Sequence, residues 1–483
     1  MATVALTGLP TELLDKIIPH ALPEGFESLA LTCKGIYALC TPFIEHHNKL
    51  RSHFQNFNYC EKITDPSFTI RTAWDLIIRI AIEPVVARYI RDADFKMDSF
   101  FSRSRTRDMV ADVADPHCGE AVVKLLASSP HLEQAGLGWK EFHTEIEEDL
   151  EERRYSQHAA AFLLTLLPNV NILTLPKSWK PINATDKLLD VIVREAKLSH
   201  LPWDRPTLAQ VTRFEPSVSL GPDDRFDLNK AVPFLALPHV RSFRGPSCVA
   251  MGDAPLAIAS RDPYRDYGVT LEVVNLVSCC IGEAAIADFL KHTPRLKTLR
   301  YSHTTKADGD PQDWDICKFV TAIEREAGNH LEELSVSIRE LRGSIPPGKA
   351  SMRGFQRLRK LEFPLEIAMC NVTFATSMDH ALDCSEPFIG DLVPASVSQL
   401  SLTSSGKDHH EKALDVMFRH FGPKKDSQLP ALKEIHLSCP ASPSADDAYK
   451  EQCAKLVTEI EKVGVVLQLK PWPSSVTISW GGD

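Results

Sequence analysis

The chain has 483 residues, too many for one compact core, so several domains or a repeat array is the starting expectation. Hydrophobic residues make up 43% and charged residues 24%, which argues against extensive disorder. A net charge of −10 disfavours nucleic acid as the main ligand, because duplex binding usually needs a basic face.

The first fifty residues read as helical. Pro10 suits an opening helical position, where its missing N–H costs nothing, and Glu12 falls in the first turn, where negative charge is favoured. Leu13, Leu14, Ile17 and Ile18 form a wide apolar stripe, and Pro19 is expected to stop that helix. A second helix is expected from Phe26, because Phe26, Leu29, Ala30, Cys33, Ile36, Tyr37 and Cys40 fall on one helical face. A third short piece is expected from Pro42 to about His47. Fifty residues are too few to bury this much apolar surface alone, so part of it must meet the rest of the chain or another protein.

Glu12, Asp15 and Lys16 interrupt the start, which therefore lacks the continuous apolar core of a signal peptide. No apolar run approaches the roughly 20 residues of a membrane helix. The twelve cysteines show no framework spacing, so reduced thiols are expected, with the cytoplasm, the nucleus or both as compartment. The sequons at Asn183 and Asn371 would then stay unmodified. Arg103, Arg105 and Arg107 sit among acidic neighbours and read as a solvated loop.

From about Cys118 onward one phrase returns: apolar-x-x-apolar-x-apolar. It occurs at Val170-Leu173-Leu175, Leu271-Val274-Leu276, Leu296-Leu299-Tyr301, Leu331-Leu334-Val336, Leu358-Leu361-Phe363, Val397-Leu400-Leu402 and Leu432-Ile435-Leu437, with weaker copies from Leu132, Leu208 and Val240. Amphipathic helical stretches lie between, at 159–167, 284–290, 316–326 and 413–421. The recurring unit is helix, turn, short strand. Parallel strands joined by helices stack, and no single repeat can bury its own face. A doubly wound sheet would show continuous apolar strand runs instead of L-x-L. The expected fold is therefore α/β, a helical module followed by an irregular leucine-rich-repeat solenoid, or horseshoe. Val465, Val466, Leu467 and Leu469 are expected to form the last strand, ended by Pro471 and Pro473. The expected division is 1–50 helical module, 51–115 helical linker and entry repeat, and 116–483 solenoid with cap.

In each phrase the residue between the last two apolar ones must point away from the core. Thr174, Asn275, Arg300, Ser335, Glu362, Ser401 and His436 are thus expected in one polar ladder on the concave face, where curved arrays usually present their ligand surface.

The sequence carries no phosphate-cradling glycine motif, H-E-x-x-H, C-x-x-C or G-x-S-x-G, so no catalytic or metal residues are nominated and no cofactor is expected. Cys279 and Cys280 read as packing residues. His46-His47 and His409-His410 read as solvated or capping pairs. His143, Glu145, Glu147 and Asp149 read as a solvated acidic face.

The stretches LPTELLDKII and PEGFESLALTCKGI resemble the F-box, whose pattern runs L-P-x-E-[LI]-[LI]-x-x-I and later L-x-x-x-C-[KR]; Leu9, Pro10, Glu12, Leu13, Leu14, Ile17, Leu29, Cys33 and Lys34 match position for position. Gly25 and Glu27 stand where the family usually has Asp and Leu, and Ile36 replaces a common aromatic. The segment DLIIRIAIEPVVARYIRDADF, Asp75 to Phe95, resembles the entry repeat of fungal F-box/leucine-rich-repeat proteins. The resemblance implies a non-enzymatic substrate receptor of an SCF-type ubiquitin ligase. Leu9, Pro10, Leu13, Leu14, Ile17, Phe26, Leu29, Cys33 and Ile36 would bind the S-phase-kinase-associated adaptor and, through it, cullin. The repeats would hold a protein client through Asn275, Arg300, Ser335, Glu362, Ser401 and His436. The alternative is a leucine-rich-repeat scaffold with no ubiquitin role.

Overall fold

The structure, a computed structural model, describes residues 6–59, 70–98, 116–198, 206–250, 262–306, 313–370, 388–404, 410–439 and 447–471. It is α/β and divides into two compact units, one of Met1–Ser217 with Pro233–Val240, the other of Val218–Val232 with Arg241–Asp483. The expected basic loop at Arg103–Arg107, the sequon at Asn371 and the terminating Pro473 lie outside the described residues.

Unit 1 opens with helices α1 (Thr11–His20), α2 (Phe26–Ala30) and α3 (Lys34–Phe54). The single helix expected through Cys40 is therefore two. Cys33 turns extended, at φ −159° and ψ 164°, and its sulfur accepts a hydrogen bond from the Ile36 N–H at 3.5 Å, so it caps a new helix instead of continuing the old one. Neither proline ends its helix: Pro19 lies inside α1 and Pro42 inside α3. An interior proline costs about 3 kcal/mol. Burial of Ile36 and Cys40 before Pro42, and of Leu50 and Phe54 after it, outweighs that cost. The expected boundary at residue 50 falls inside α3 for the same reason.

Four strands follow in unit 1: β1 (Asn56–Asn58), β2 (Asp92–Asp94), β3 (Ile172–Thr174) and β4 (Arg213–Glu215). They pair parallel in chain order, with Phe57, Ala93, Leu173 and Phe214 in register and all buried. The helix Ala73–Ile82 between β1 and β2 starts in a capping box: Asp75 N–H donates to Thr72 Oγ1 at 3.2 Å and Thr72 N–H to Asp75 Oδ2 at 3.0 Å. Two expected copies of the phrase are corrected here. Leu132 lies in the helix Pro130–Gln134, capped by Ser129, so it marks no strand. The copy read from Leu208 begins three residues later, at Val211, because Phe214 is the residue in register; Leu208 itself sits before the strand at φ 55°.

Unit 2 contains β5 (Phe226–Asp227), β6 (Ser242–Pro246), β7 (Cys248–Ala250), β8 (Val273–Ile281), β9 (Thr298–Thr304), β10 (Glu333–Glu340), β11 (Lys360–Pro364), β12 (Gln399–Thr403), β13 (Glu434–Cys439) and β14 (Val466–Pro471). From β8 to β14 the strands lie side by side in chain order and parallel, with β6 on the other side of β8. β5 and β7 form a branch that joins the far end of β8. Helices Glu283–Lys291, Ile316–Ala327, His410–Phe418 and Asp447–Glu461 lie between successive strands, as parallel pairing requires of its crossovers. The stretch expected as one helix to Phe421 breaks at His420, whose φ of 61° starts a separate helix, Phe421–Gln428. Every apolar residue of the seven strong phrases is at most 2% exposed. Val465, expected in the last strand, is buried just before β14; within β14 Leu467 is buried while Val466 and Leu469 are exposed, and Pro471 is the strand's last residue.

Two buried groups tie stability to pH. In unit 1 Asp98 accepts from the Ala73 N–H at 3.1 Å, at the start of the helix. Burial pushes its carboxyl up to about 7, against the lowering effect of that hydrogen bond. In unit 2 the His303 ring stacks on Trp314 at 4.0 Å, and burial holds its pKa down to about 4. The two act in opposite directions. The unfolded chain ionises Asp98 near pH 4 without penalty, whereas the folded chain resists until pH 7, so Asp98 makes stability fall as pH rises through that window. Protonating His303 favours the unfolded chain, so stability falls as pH drops from 6.5 toward 4. Asp98→Asn keeps the acceptor and removes the charge. It should raise unfolding free energy by about 2–4 kcal/mol at pH 8 and leave it nearly unchanged at pH 4.5, read by urea titration at both pH values. An equal effect at both would show that Asp98 ionises freely.

Candidate functional site

Helix α1 presents two different apolar faces. Leu14 and Ile18 are buried against the rest of the module, while Leu13 is 46% and Ile17 36% exposed, one helical turn apart, with Pro10 exposed before them. An apolar (i, i+4) pair on the solvent side of a helix whose opposite side is filled is surplus to the fold. Leu31 is 79% exposed and Tyr37 is also exposed. Leu9 and Leu29 are half-buried and Cys33 is exposed. Leu14, Phe26 and Ile36, expected on the docking surface, are instead buried inside the chain. They hold the three helices together, which removes them from any surface contact. Glu27, at one of the departures from the F-box pattern, forms an ion pair with Arg51 of α3, and Gly25 is the N-cap residue before α2.

The second surface is the ladder. In unit 2 Arg244, Asn275, Arg300, Ser335, Glu362, Ser401, His436 and Gln468 stand in consecutive register across eight strands. The six expected unit 2 residues are all among them. Thr174 belongs to unit 1, where its register partners are Asp94 and Glu215. Parallel pairing keeps the row straight, and period-two alternation turns every member away from the buried triplets.

What sequence reading missed is the neighbouring row two residues earlier, which faces the same way and carries much of the charge. Glu333 bridges Arg300 at 3.8 Å and Lys360 at 2.8 Å. Such exposed pairs contribute about 0–1 kcal/mol each, so they orient side chains more than they stabilise the fold. Glu362 lies half-buried at the centre. Burial raises its carboxyl, and the Ser335 hydrogen bond and the charges of Arg300 and Lys470 pull it back. His436 is buried among polar partners: Lys470 Nζ lies 2.8 Å from its Nδ1 and Glu434 Oε1 lies 2.6 Å from its Nε2. An ammonium can only donate, so Nδ1 accepts and Nε2 carries the proton given to Glu434. Gln399 and Ser401 approach the same ring at 3.2 and 3.4 Å. The period-two rule that picks Glu362 from the sequence would also have picked Lys360 and Glu434, had it been run one step back.

The other nominated groups are accounted for locally. Cys279 and Cys280 are buried in β8; Cys248 N–H donates to Cys279 Sγ at 3.2 Å. His143, expected on a solvated face, is half-buried beside the Trp74 ring at 5.8 Å and pairs with Glu147 at 3.3 Å on the helix Trp139–Glu151. Two histidines read as solvated or capping are buried: His410 bonds Ser404 Oγ at 2.7 Å and His47 bonds the Tyr89 hydroxyl at 2.7 Å, while His409 lies outside the described residues. His46 is exposed and meets Glu83 at 2.7 Å. Among the described residues, no group of three or more His, Cys, Asp and Glu side chains is gathered to hold a metal, and no helix is long and apolar enough to cross a membrane.

No family model matches the chain, and no curated protein matches it. The F-box resemblance therefore rests on the residues alone.

The two faces of α1 make a direct comparison. Leu13→Asp should shift unfolding free energy by no more than about 0.5 kcal/mol, as exposed changes do, whereas Leu14→Asp should cost at least about 3 kcal/mol by burying a charge where a leucine packed. Thermal melts of both variants check this. Equal destabilisation would mean that the outer face is also structural.

Proposed function

We propose that this chain is a non-enzymatic recognition subunit built as an F-box-like helical module followed by an irregular leucine-rich-repeat solenoid. In this reading α1 docks onto the adaptor of an SCF-type ubiquitin ligase, and through it cullin, while the unit 2 ladder captures a protein client. The observation that carries the reading is the exposed Pro10, Leu13 and Ile17 face on a helix already anchored by Leu14 and Ile18. A helix with a filled inner face and an apolar outer one suits a partner that covers the outer one. The receptor would do no chemistry itself; holding a client near a conjugating enzyme raises effective concentration. No cofactor, metal, nucleic acid or membrane enters this role, and the cytoplasm or nucleus is the compartment that goes with it.

Burying one leucine at an interface contributes roughly 1.5–3 kcal/mol, and an unpaired carboxylate in its place costs several more. Leu13→Asp should therefore abolish co-purification with the adaptor in pull-downs while the chain stays folded. Retention of the adaptor at wild-type yield would sink the ubiquitin-ligase reading and leave the scaffold reading, in which the ladder binds a partner without any ligase.

The client side is tested separately. Exchanging the charges at Arg300 and Glu362 (Arg300→Glu with Glu362→Arg) breaks the Arg300–Glu333 contact and reverses the centre of the ladder. Client recovery with the proteasome inhibited should drop by about tenfold or more, with adaptor recovery unchanged. Unchanged recovery of both would move the binding surface off this face.

A further inference from the structure

Two cysteine thiols meet in unit 2 across a repeat that lacks its helix. Between β10 and β11, residues 341–359 form turns and extended chain with no helix. The helix Ile316–Ala327 precedes β10, and residues 365–370 turn helical directly after β11. Cys317 lies in the first turn of the former and Cys370 on the latter. Pro346 to Gly348 runs against both. The Cys370 thiol donates to the Pro346 carbonyl at 3.7 Å, and a Cβ placed on Gly348 would stand 3.2 Å from Cys317 Cβ and 3.3 Å from its Sγ. Glycine lets the segment pass that close with no side chain in the way.

The Cys317 thiol in turn bonds the Cys370 sulfur. The order of donors is therefore Cys317 to Cys370 to Pro346. A sulfur that accepts a hydrogen bond is favoured as thiolate. This contact lowers the pKa of Cys370, against the effect of burial, and raises that of Cys317. Both are free thiols, Cys317 3% and Cys370 6% exposed. Cys248 and Cys279 also lie together but are sealed, each at 0%. Cys370 thus combines a favoured thiolate, a partner thiol in contact and slight solvent access.

We propose that Cys317 and Cys370 are an oxidation site, converted by hydrogen peroxide to an intramolecular disulfide. The Cys370 thiolate attacks one peroxide oxygen, the O–O bond breaks, and the departing hydroxide takes the proton that Cys370 released. That step forms water and leaves a sulfenic acid on Cys370. The Cys317 sulfur then attacks the Cys370 sulfur, the S–O bond breaks, and hydroxide leaves with the Cys317 proton as a second water. Two thiols lose two electrons, and one peroxide is reduced to two waters. A small dithiol reverses the change and is itself oxidised to its disulfide. The bond staples the helix before β10 to the helical turn after β11. It encloses β10 and β11, which carry Ser335 and Glu362 of the ladder, in one covalent loop.

The test treats the full chain, reduced and then freed of reductant, with hydrogen peroxide in stepwise excess. After digestion under non-reducing conditions, mass spectrometry should find the peptides of Cys317 and Cys370 joined, and dithiothreitol should separate them. Cys317→Ser should trap Cys370 as a sulfenic acid that dimedone labels, whereas Cys370→Ser should leave Cys317 a thiol. Oxidation of the exposed Cys33 reports that the oxidant sufficed. Absence of the Cys317–Cys370 link once Cys33 is oxidised, or a link from either residue to another cysteine, would overturn the proposal. So would equal dimedone labelling of Cys370 with and without Cys317, because Cys317 would then resolve nothing. If a serine variant fails to fold, mapping of the unaltered chain decides alone.

Discussion

A strand of three residues has almost nothing to hold it in place by itself, and β1 to β4 are all of that length. What holds them is parallel register. Each strand centres one buried residue against the next strand's equivalent, so the triplet of one repeat is shielded only once its neighbours are paired. The same constraint runs from β8 to β14, where full burial of the phrases contributes roughly 1.5–3 kcal/mol per large side chain. Everything else is fitted to that register. The helices supply the crossovers that parallel strands need, and the ladder is straight because its residues alternate with the locked ones.

The register is interrupted where β6, β7 and β8 meet, and the interruption has a consistent chemistry. Ser247 and Ser278 adopt positive φ, at 51° and 59°, which is uncommon for serine. Each hydroxyl then donates to a backbone carbonyl in one short segment, Ser247 to Ser219 at 2.6 Å and Ser278 to Leu220 at 3.0 Å. Lys306, also buried, donates to Gly221 next in line at 3.3 Å, and burial lowers its pKa. The backbone strain is thus offset by hydrogen bonds that clamp residues 219–221 over the bulge, and β7 is freed to pair with β5.

How much of this is legible in the sequence depends on the range of the cause. The triplets Leu296-Leu299-Tyr301 and Leu432-Ile435-Leu437 are local patterns, and the ladder follows from them by alternation. The start of the sheet was harder. Phe54, Phe57 and Tyr59 form the same phrase in aromatic residues, all buried, but sit where a helix runs directly into β1. The break between α2 and α3 was hidden because Phe26 to Cys40 keeps helical spacing across a gap that only the Cys33 cap reveals. Burial of His47 and His410 was unreadable for another reason. Their neighbours in sequence look polar, and His47 is buried against Tyr89, 42 residues away.

Long-range polar contacts also decide how the N-terminal helices relate to the repeats of unit 1. Glu24 reaches Asn169, 145 residues on, and Arg88, while His47 reaches Tyr89 and His46 reaches Glu83. Asn169 is almost fully buried and its amide also donates to the Arg88 carbonyl at 2.7 Å, so this joint is satisfied on both sides and is not a surface ion pair that solvent would screen. A module fixed in this way cannot swing on a linker. Leu13 and Ile17 are therefore held at one orientation to β1 through β4. Glu24 and Asn169, which are exposed on neither surface, are thus the residues that join the N-terminal helices to the strands of unit 1.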